Sequence, residues 1–165
     1  MKNNKWIKWM FLAVSVAINI FIIVNSCLSG EVSGEESGNF ARWFANFINL
    51  GWTGRINNQN FDAFAAMLRK LVGHFGLFVF SALLTLPTCF LFLKETKFNK
   101  NRWFLSLTLL IGLFLAFLTE FIQIFTPGRS GQFTDIAIDF GGYLFGAGLS
   151  FATLLFFNFV DIRKF

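Results

Sequence analysis

Residues 119–142 of this chain read TEFIQIFTPGRSGQFTDIAIDFGG and join two long apolar segments. Carboxylates, an arginine and a glutamine lie at or just inside the ends of those segments: Glu120, Gln123, Arg129, Asp135 and Asp139. An ionisable side chain at the centre of a membrane-spanning helix costs roughly 2.5–3.5 kcal/mol on insertion scales. Several such groups at one junction therefore indicate a functional site.

The composition is typical of an integral membrane protein. Of 165 residues, 55% are hydrophobic and 14% are charged, whereas soluble domains carry about 25% charged residues. Apolar runs of about 20 residues recur, and each is long enough to cross a hydrocarbon core about 30 Å thick. We predict one all-α membrane domain over residues 1–165, with spanning helices at about residues 6–25, 71–93, 103–125 and 133–159.

Lysine and arginine are distributed unequally between the two ends of these helices. One end carries Lys2, Lys5, Lys8, Lys94, Lys97, Lys100, Arg102, Arg163 and Lys164. The other end carries fewer cations, Arg42, Arg55, Arg69, Lys70 and Arg129, balanced by Glu31, Glu35, Glu36 and Asp62. The positive-inside rule then predicts a multi-pass protein of the cell membrane with both termini cytoplasmic and the 119–142 junction outside.

The first outward connection, residues 26–70, is too long for a turn. Its beginning, residues 28–39, is rich in Ser, Gly and Glu, which predicts a loop. Apolar side chains then recur at helical spacing, so we predict amphipathic segments over about residues 39–68 that lie in the interface or re-enter the bundle. An extracellular loop with scattered aromatics is the alternative.

Helical spacing places the polar groups of the junction on shared faces. Gln123 lies three residues after Glu120, and Asp139 lies four residues after Asp135. The short connection predicts antiparallel neighbouring helices, so Glu120 and Asp139 reach a similar depth. Arg129, in the turn, is expected to lean over this pair.

The single histidine, His74, lies near the outer end of the second spanning helix, with Lys70 four residues earlier on the same face and Arg69 beside it. Three helices are therefore expected to contribute to one ligand-binding cluster. Its predicted members are Arg69, Lys70, His74, Glu120, Gln123, Arg129, Asp135 and Asp139.

Structural roles are the alternative for each of these residues. Asp135 suits the first turn of a helix, with Thr134 or Ser130 as the capping residue. Arg69 and Lys70 at a membrane boundary are often topology anchors. Carboxylates paired with His or Arg can also lock a helical bundle without further function.

Established catalytic and metal signatures are absent from the sequence, which contains no GxSxG, HExxH or paired CxxC motif. With one His and no suitably placed Cys, we expect no zinc site, no other metal and no cofactor. Calcium or magnesium on Asp135, Asp139 and Glu120 is chemically allowed. In an enzyme, His74 or Glu120 would serve as the general base.

Two further features bear on assembly. Gly142 and Gly146 form a GxxxG element, which allows close helix packing in lipid, within the bundle or in a homodimer as the alternative. Cys27 and Cys89 fall near opposite membrane faces, so no disulfide is expected. Residues 24–27 weakly resemble a lipoprotein signal, and lipidation of Cys27 is an alternative fate of the N-terminus.

The order of these residues resembles the VanZ-like family of small membrane proteins. The resemblance covers about residues 69–146 and rests on Arg69-Lys70, His74, Glu120-x-x-Gln123, Pro127-Gly128-Arg129-Ser130 and Asp135-x-x-x-Asp139-x-x-Gly142-x-x-x-Gly146. Members usually have a small polar residue, often Asn, where this chain has Asp139. That extra carboxylate makes the site more acidic.

The resemblance implies a cell-envelope protein of a Gram-positive bacterium that contributes to resistance to glycopeptides such as teicoplanin. We expect the outward pocket to bind a phospholipid headgroup, a lipid-linked wall precursor or the glycopeptide, without catalysis. An enzyme acting on a lipid-linked envelope substrate and an assembly partner of another membrane protein are the alternatives. No nucleic-acid partner is expected, because no basic run is interleaved with aromatics on a soluble surface.

Overall fold

The computed structural model describes residues 5–51, 56–94 and 103–157. These ranges form helices and contain no strand, which confirms the predicted all-α class. The elements are α1 (Lys5–Cys27), α2 (Gly30–Gly51), α3 (Phe61–Leu68), a π-helical segment (Arg69–Gly76), α4 (Leu77–Leu93), α5 (Trp103–Phe125) and α6 (Phe133–Phe156). Several predicted features lie outside the described residues: Lys2, Arg55, Lys97, Lys100, Arg102, Arg163, Lys164 and the end of the fourth predicted helix at residues 158–159.

Within the described ranges, four helices are long and apolar enough to cross a bilayer: Lys5–Cys27, Phe61–Leu93, Trp103–Phe125 and Phe133–Phe156. The second of them runs without a break through α3, the π-helical segment and α4. It therefore begins at Phe61 and not at residue 71, because no proline or turn residue interrupts residues 61–72. Its 33 residues span about 50 Å at about 1.5 Å per residue, more than the hydrocarbon core requires.

The predicted loop at residues 28–39 is wrong from Gly30 onward, because α2 begins there. Gly30 N donates a 2.9 Å hydrogen bond to Pro127 O, which fastens the start of α2 to the α5–α6 turn. A Cβ at Gly30 would overlap the backbone carbonyl of Gly128. Gly30 thus permits a close backbone contact at the start of a helix, and the Ser- and Gly-rich stretch that follows is helical.

The remainder of α2 carries a stripe of aromatic rings. Phe40, Trp43, Phe44 and Phe47 stack along it, and the Phe44 ring lies 6.4 Å from that of Phe64 in α3. Trp43 and Phe47 are 63% and 64% exposed. Exposed aromatic rings on an amphipathic helix suit the boundary between lipid and water.

The core surrounds α4, which packs against α1, α5 and α6. Phe78, Leu86, Phe104 and Tyr143 are among its largest buried side chains. A Cβ at Gly112 would overlap the Tyr143 ring, so this glycine lets α5 and α6 come together.

Two helices come into close backbone contact at Gly142 and Gly146 of α6. A Cβ at Gly142 would overlap Phe75 O in the π-helical segment, and one at Gly146 would overlap Val79 O in α4. Because their side chains are absent, the backbone of α6 lies directly on its neighbour. This contact is intrachain, and it brings the carboxylates of α6 toward the π-helical segment.

Replacing Gly142 by Ala should destabilise the protein by about 1–3 kcal/mol, because the new methyl group has to displace backbone atoms. Gly141→Ala is a matched control, since nothing lies within 4 Å of its added Cβ. Reversible unfolding in mixed detergent micelles would measure both. Equal stability of the two variants would contradict the close packing at Gly142.

Candidate functional site

A cavity of about 160 Å³ lies where the end of α1 meets α2 and where α5 turns into α6. Five of the residues that the sequence predicts for the site line this cavity: Arg69, His74, Gln123, Arg129 and Asp139. Ile22, Leu77 and Phe78 supply apolar walls. The cavity is therefore amphipathic, with cationic and anionic groups in one space.

His74 is the centre of a group of ionisable side chains beside this cavity. Its Nδ1 lies 3.0 Å from Asp139 Oδ1 and 3.9 Å from Glu120 Oε1. Its Nε2 lies 4.0 Å from Asp135 Oδ2. The His74 side chain is 12% exposed and that of Asp139 only 1%. Two helices, α5 and α6, thus place three carboxylates around the imidazole of the π-helical segment.

Glu120 is held by neutral donors from two directions. Gln123 Nε2 donates a 2.9 Å hydrogen bond to Glu120 Oε1, within α5. The backbone N of Gln132 donates a 2.9 Å bond to Glu120 Oε2. These bonds fix the carboxylate and also tie α5 to the start of α6.

The π-helical segment directs its two consecutive cations to different partners. Lys70 Nζ lies 2.6 Å from Asp135 Oδ1 and remains 46% exposed. Arg69 Nε donates a 3.1 Å hydrogen bond to Ser37 Oγ of α2. Lys70 of this segment therefore lies against α6, whereas Arg69 lines the cavity. Short π-helical stretches often occur at functional sites.

Arg129 was predicted to lean over Glu120 and Asp139, but its hydrogen bonds go to the end of α1 instead. Its Nη1 donates to the backbone O of Asn25 at 3.1 Å and of Leu28 at 3.5 Å. The last carbonyls of a helix lack intrahelical partners, so the end of α1 attracts this donor. Among the described residues, no carboxylate forms an ion pair with Arg129.

The surroundings of Arg129 lower its pKa but leave its guanidinium charged. Burial, and next the positive charge of Arg69, lower the pKa of the Arg129 guanidinium from its usual range. Arginine nevertheless stays protonated in proteins. Two cations therefore approach each other at this cavity.

Three predicted site residues do not line the cavity. Lys70 pairs with Asp135, and both Glu120 and Asp135 lie within 4.0 Å of the His74 ring. The predicted capping of α6 is also wrong, because the residue at the cap is Gln132 and no side chain caps that helix. Thr134 Oγ1 instead lies 3.4 Å from Asp135 Oδ1.

The sequence prediction missed the contribution of α1 and α2 to the cavity. Asn25 and Ser26 of α1, together with Ser33, Glu36 and Ser37 of α2, line it. A signal was present, since Ser33 and Ser37 are four residues apart and share a helix face. The high Gly and Ser content of residues 28–39 concealed it.

Fold and site together define a polytopic helical membrane protein with a histidine–carboxylate cluster beside a cavity that contains two arginines. The profile of the VanZ/LLP1 family matches residues 11–157, so the chain belongs to that family. The match confirms the resemblance and extends it from residues 69–146 over most of the chain. No curated protein and no solved structure matches the chain.

Glu120→Ala should destabilise the protein by about 1–3 kcal/mol, because it leaves the buried Gln123 amide and the Gln132 N–H without their acceptor. Glu35→Ala removes an exposed carboxylate of α2 and should have little effect. Unfolding in mixed micelles, followed by circular dichroism, compares the two. A Glu120 variant as stable as the Glu35 variant would show that these bonds contribute nothing.

Proposed function

We propose that this protein is a cell-envelope factor whose cavity binds a phosphate-bearing lipid headgroup at the outer leaflet and thereby protects against teicoplanin-type glycopeptides. The observation that carries the proposal is the presence of two guanidinium groups, those of Arg69 and Arg129, in one cavity. Membership of the VanZ/LLP1 family supplies the envelope setting.

The two guanidinium groups retain donors for a ligand. Arg129 uses Nη1 for its bonds to α1, and Arg69 uses Nε for its bond to Ser37. Each guanidinium has five N–H donors in a planar fork that matches phosphate and carboxylate. An anion between them would also relieve the repulsion between two neighbouring cations.

The size of the cavity favours a headgroup over a whole antibiotic. A volume of about 160 Å³ suits a phosphate or pyrophosphate group, whereas a glycopeptide is several times larger. Ile22, Leu77 and Phe78 offer an apolar wall beside the charged groups. This combination suits a lipid or a lipid-linked wall precursor, with the chain against the apolar wall and the phosphate on the arginines.

Arg69→Gln should weaken binding of undecaprenyl phosphate by about tenfold or more, because a charge-assisted bidentate contact contributes about 1.5–3 kcal/mol. Arg42→Gln is a matched control on α2, since Arg42 is exposed, bonds to Asn39 and does not line the cavity. Native mass spectrometry of purified protein with added lipid measures binding. Teicoplanin susceptibility of cells that produce each variant measures protection.

Loss of both binding and protection in Arg69→Gln, with both kept in Arg42→Gln, would support the proposal. Equal binding by the two variants would rule out the arginine cavity as the lipid site. Lost binding with unchanged teicoplanin protection would separate the lipid site from resistance.

The proposal also requires the α5–α6 turn to face outward. In a chain with Cys27 and Cys89 replaced by Ala, a cysteine at exposed Ser130 should react with a membrane-impermeant maleimide on intact cells. A cysteine at Thr96, in the cation-rich connection, should react only after permeabilisation. The reverse labelling pattern would place the cavity in the cytoplasm and exclude an outer-leaflet ligand.

A further inference from the structure

We propose that His74, Glu120 and Asp139 form a binding site for a divalent transition-metal ion, with Zn²⁺ as the best fit. The inference is independent of the anion site proposed above. Nitrogen and oxygen ligand atoms from these three residues all lie within 4.8 Å of one another. They come from the π-helical segment, α5 and α6, so the tertiary packing alone assembles them.

The distances suit a metal ion of this size. Zinc binds imidazole nitrogen and carboxylate oxygen at about 2.0–2.2 Å, so neighbouring ligands of a tetrahedral site lie about 3.3–3.5 Å apart. The separations from His74 Nδ1 are 3.0 Å to Asp139 Oδ1 and 3.9 Å to Glu120 Oε1. These two values bracket the tetrahedral spacing, and the three ligand atoms all lie within 4.8 Å of one another, so an ion would draw the side chains closer together.

The charges around His74 also call for a cation. Lys70 pairs with Asp135 at 2.6 Å, but no Lys or Arg among the described residues pairs with Glu120 or Asp139. Protonated His74 would balance only one of those two carboxylates. A divalent ion with a neutral imidazole balances both, which removes an uncompensated charge from a buried position.

A second observation points to a ligand in the same place. Asp139 Oδ2 is buried and has no hydrogen-bond partner among the described residues. A carboxylate oxygen left without a partner in a buried site is costly. Asp139 lines the cavity together with His74, so an ion that Asp139 binds through both carboxylate oxygens would satisfy Oδ2 and could take a further ligand from the cavity.

The surroundings have the features of an outer coordination shell. Gln123 and the Gln132 backbone orient Glu120 by two hydrogen bonds. Asp135 Oδ2 lies 4.0 Å from His74 Nε2, beyond hydrogen-bond distance, and Nδ1 is within hydrogen-bond distance of Asp139 Oδ1 at 3.0 Å, so metal binding at Nδ1 would replace that hydrogen bond.

The prediction of no zinc site rests on the count of one histidine and no suitably placed cysteine. A site with one imidazole and two carboxylates escapes that count, because its ligands are spread over the π-helical segment and two helices. Asp135, which belongs to the calcium or magnesium alternative, pairs with Lys70 instead.

The test uses full-length protein purified in detergent, stripped with EDTA, loaded with ZnCl₂ at neutral pH and desalted. Elemental analysis should find about one zinc per wild-type chain and under about 0.2 in His74→Gln and in Asp139→Asn, because each variant removes a ligand. Glu35→Gln, an exposed carboxylate on α2, is the control and should bind like the wild type. Arg69→Gln should also retain zinc, which separates this site from the anion site.

Further measurements keep the test decisive if one variant misfolds. Zinc should raise the thermal unfolding midpoint of the wild type and leave that of the isosteric Asp139→Asn variant unchanged. X-ray absorption at the zinc edge should show one imidazole among oxygen ligands. No zinc in the loaded wild type, equal zinc in wild type and Asp139→Asn, or an absorption spectrum without imidazole would each overturn the proposal.

Discussion

The direct contact of α6 with the helix of the π segment and α4 is the constraint on which the rest of the structure depends. Hydrophobic burial does not drive helices together in lipid, so their association relies on packing and polar contacts. Gly142 and Gly146 let the backbone of α6 lie against the carbonyls of Phe75 and Val79. The same approach brings Asp135 and Asp139 within reach of Lys70 and His74.

Arg129 links the remaining parts of the site. Its Nη1 satisfies backbone carbonyls at the end of α1, while Gly30 N bonds to Pro127 O in the same turn. These contacts hold α1, α2 and the α5–α6 turn together, and the cavity lies among them. A single arginine therefore completes the cavity and also contributes a cation to it. Because Arg129 has both roles, a substitution of Arg69 is the better test of ligand binding.

Anion binding by the arginines and metal binding by the histidine–carboxylate cluster would be compatible in one protein. Arg69 contacts Ser37 of α2, and Arg129 contacts the backbone at the end of α1. His74 and Asp139 line the same cavity from the π-helical segment and α6. A phosphate in this cavity would then meet the arginines, and a metal would add a Lewis acid to the same site.

Much of the fold was predictable because long apolar runs in lipid have to satisfy their own backbone hydrogen bonds as helices. The class and the four spanning segments followed from this rule. The helical start of α2 at Gly30 did not, because composition cannot distinguish a glycine in a loop from one at a close contact. The cap at Gln132 and the carbonyl partners of Arg129 were equally inaccessible, since each depends on another element.

The candidate site was likewise predictable from sequence only where a contact lies within one helix. Spacing alone placed Glu120 with Gln123 and Asp135 with Asp139 on shared helix faces, because helical periodicity is local. Only the tertiary structure decided that Asp139 meets His74, that Asp135 meets Lys70, and that Asn25 and Ser37 join the cavity. The sequence by itself determined which polar groups enter the membrane domain. Their pairing was decided by packing, because contacts between helices depend on how closely glycines allow the backbones to approach.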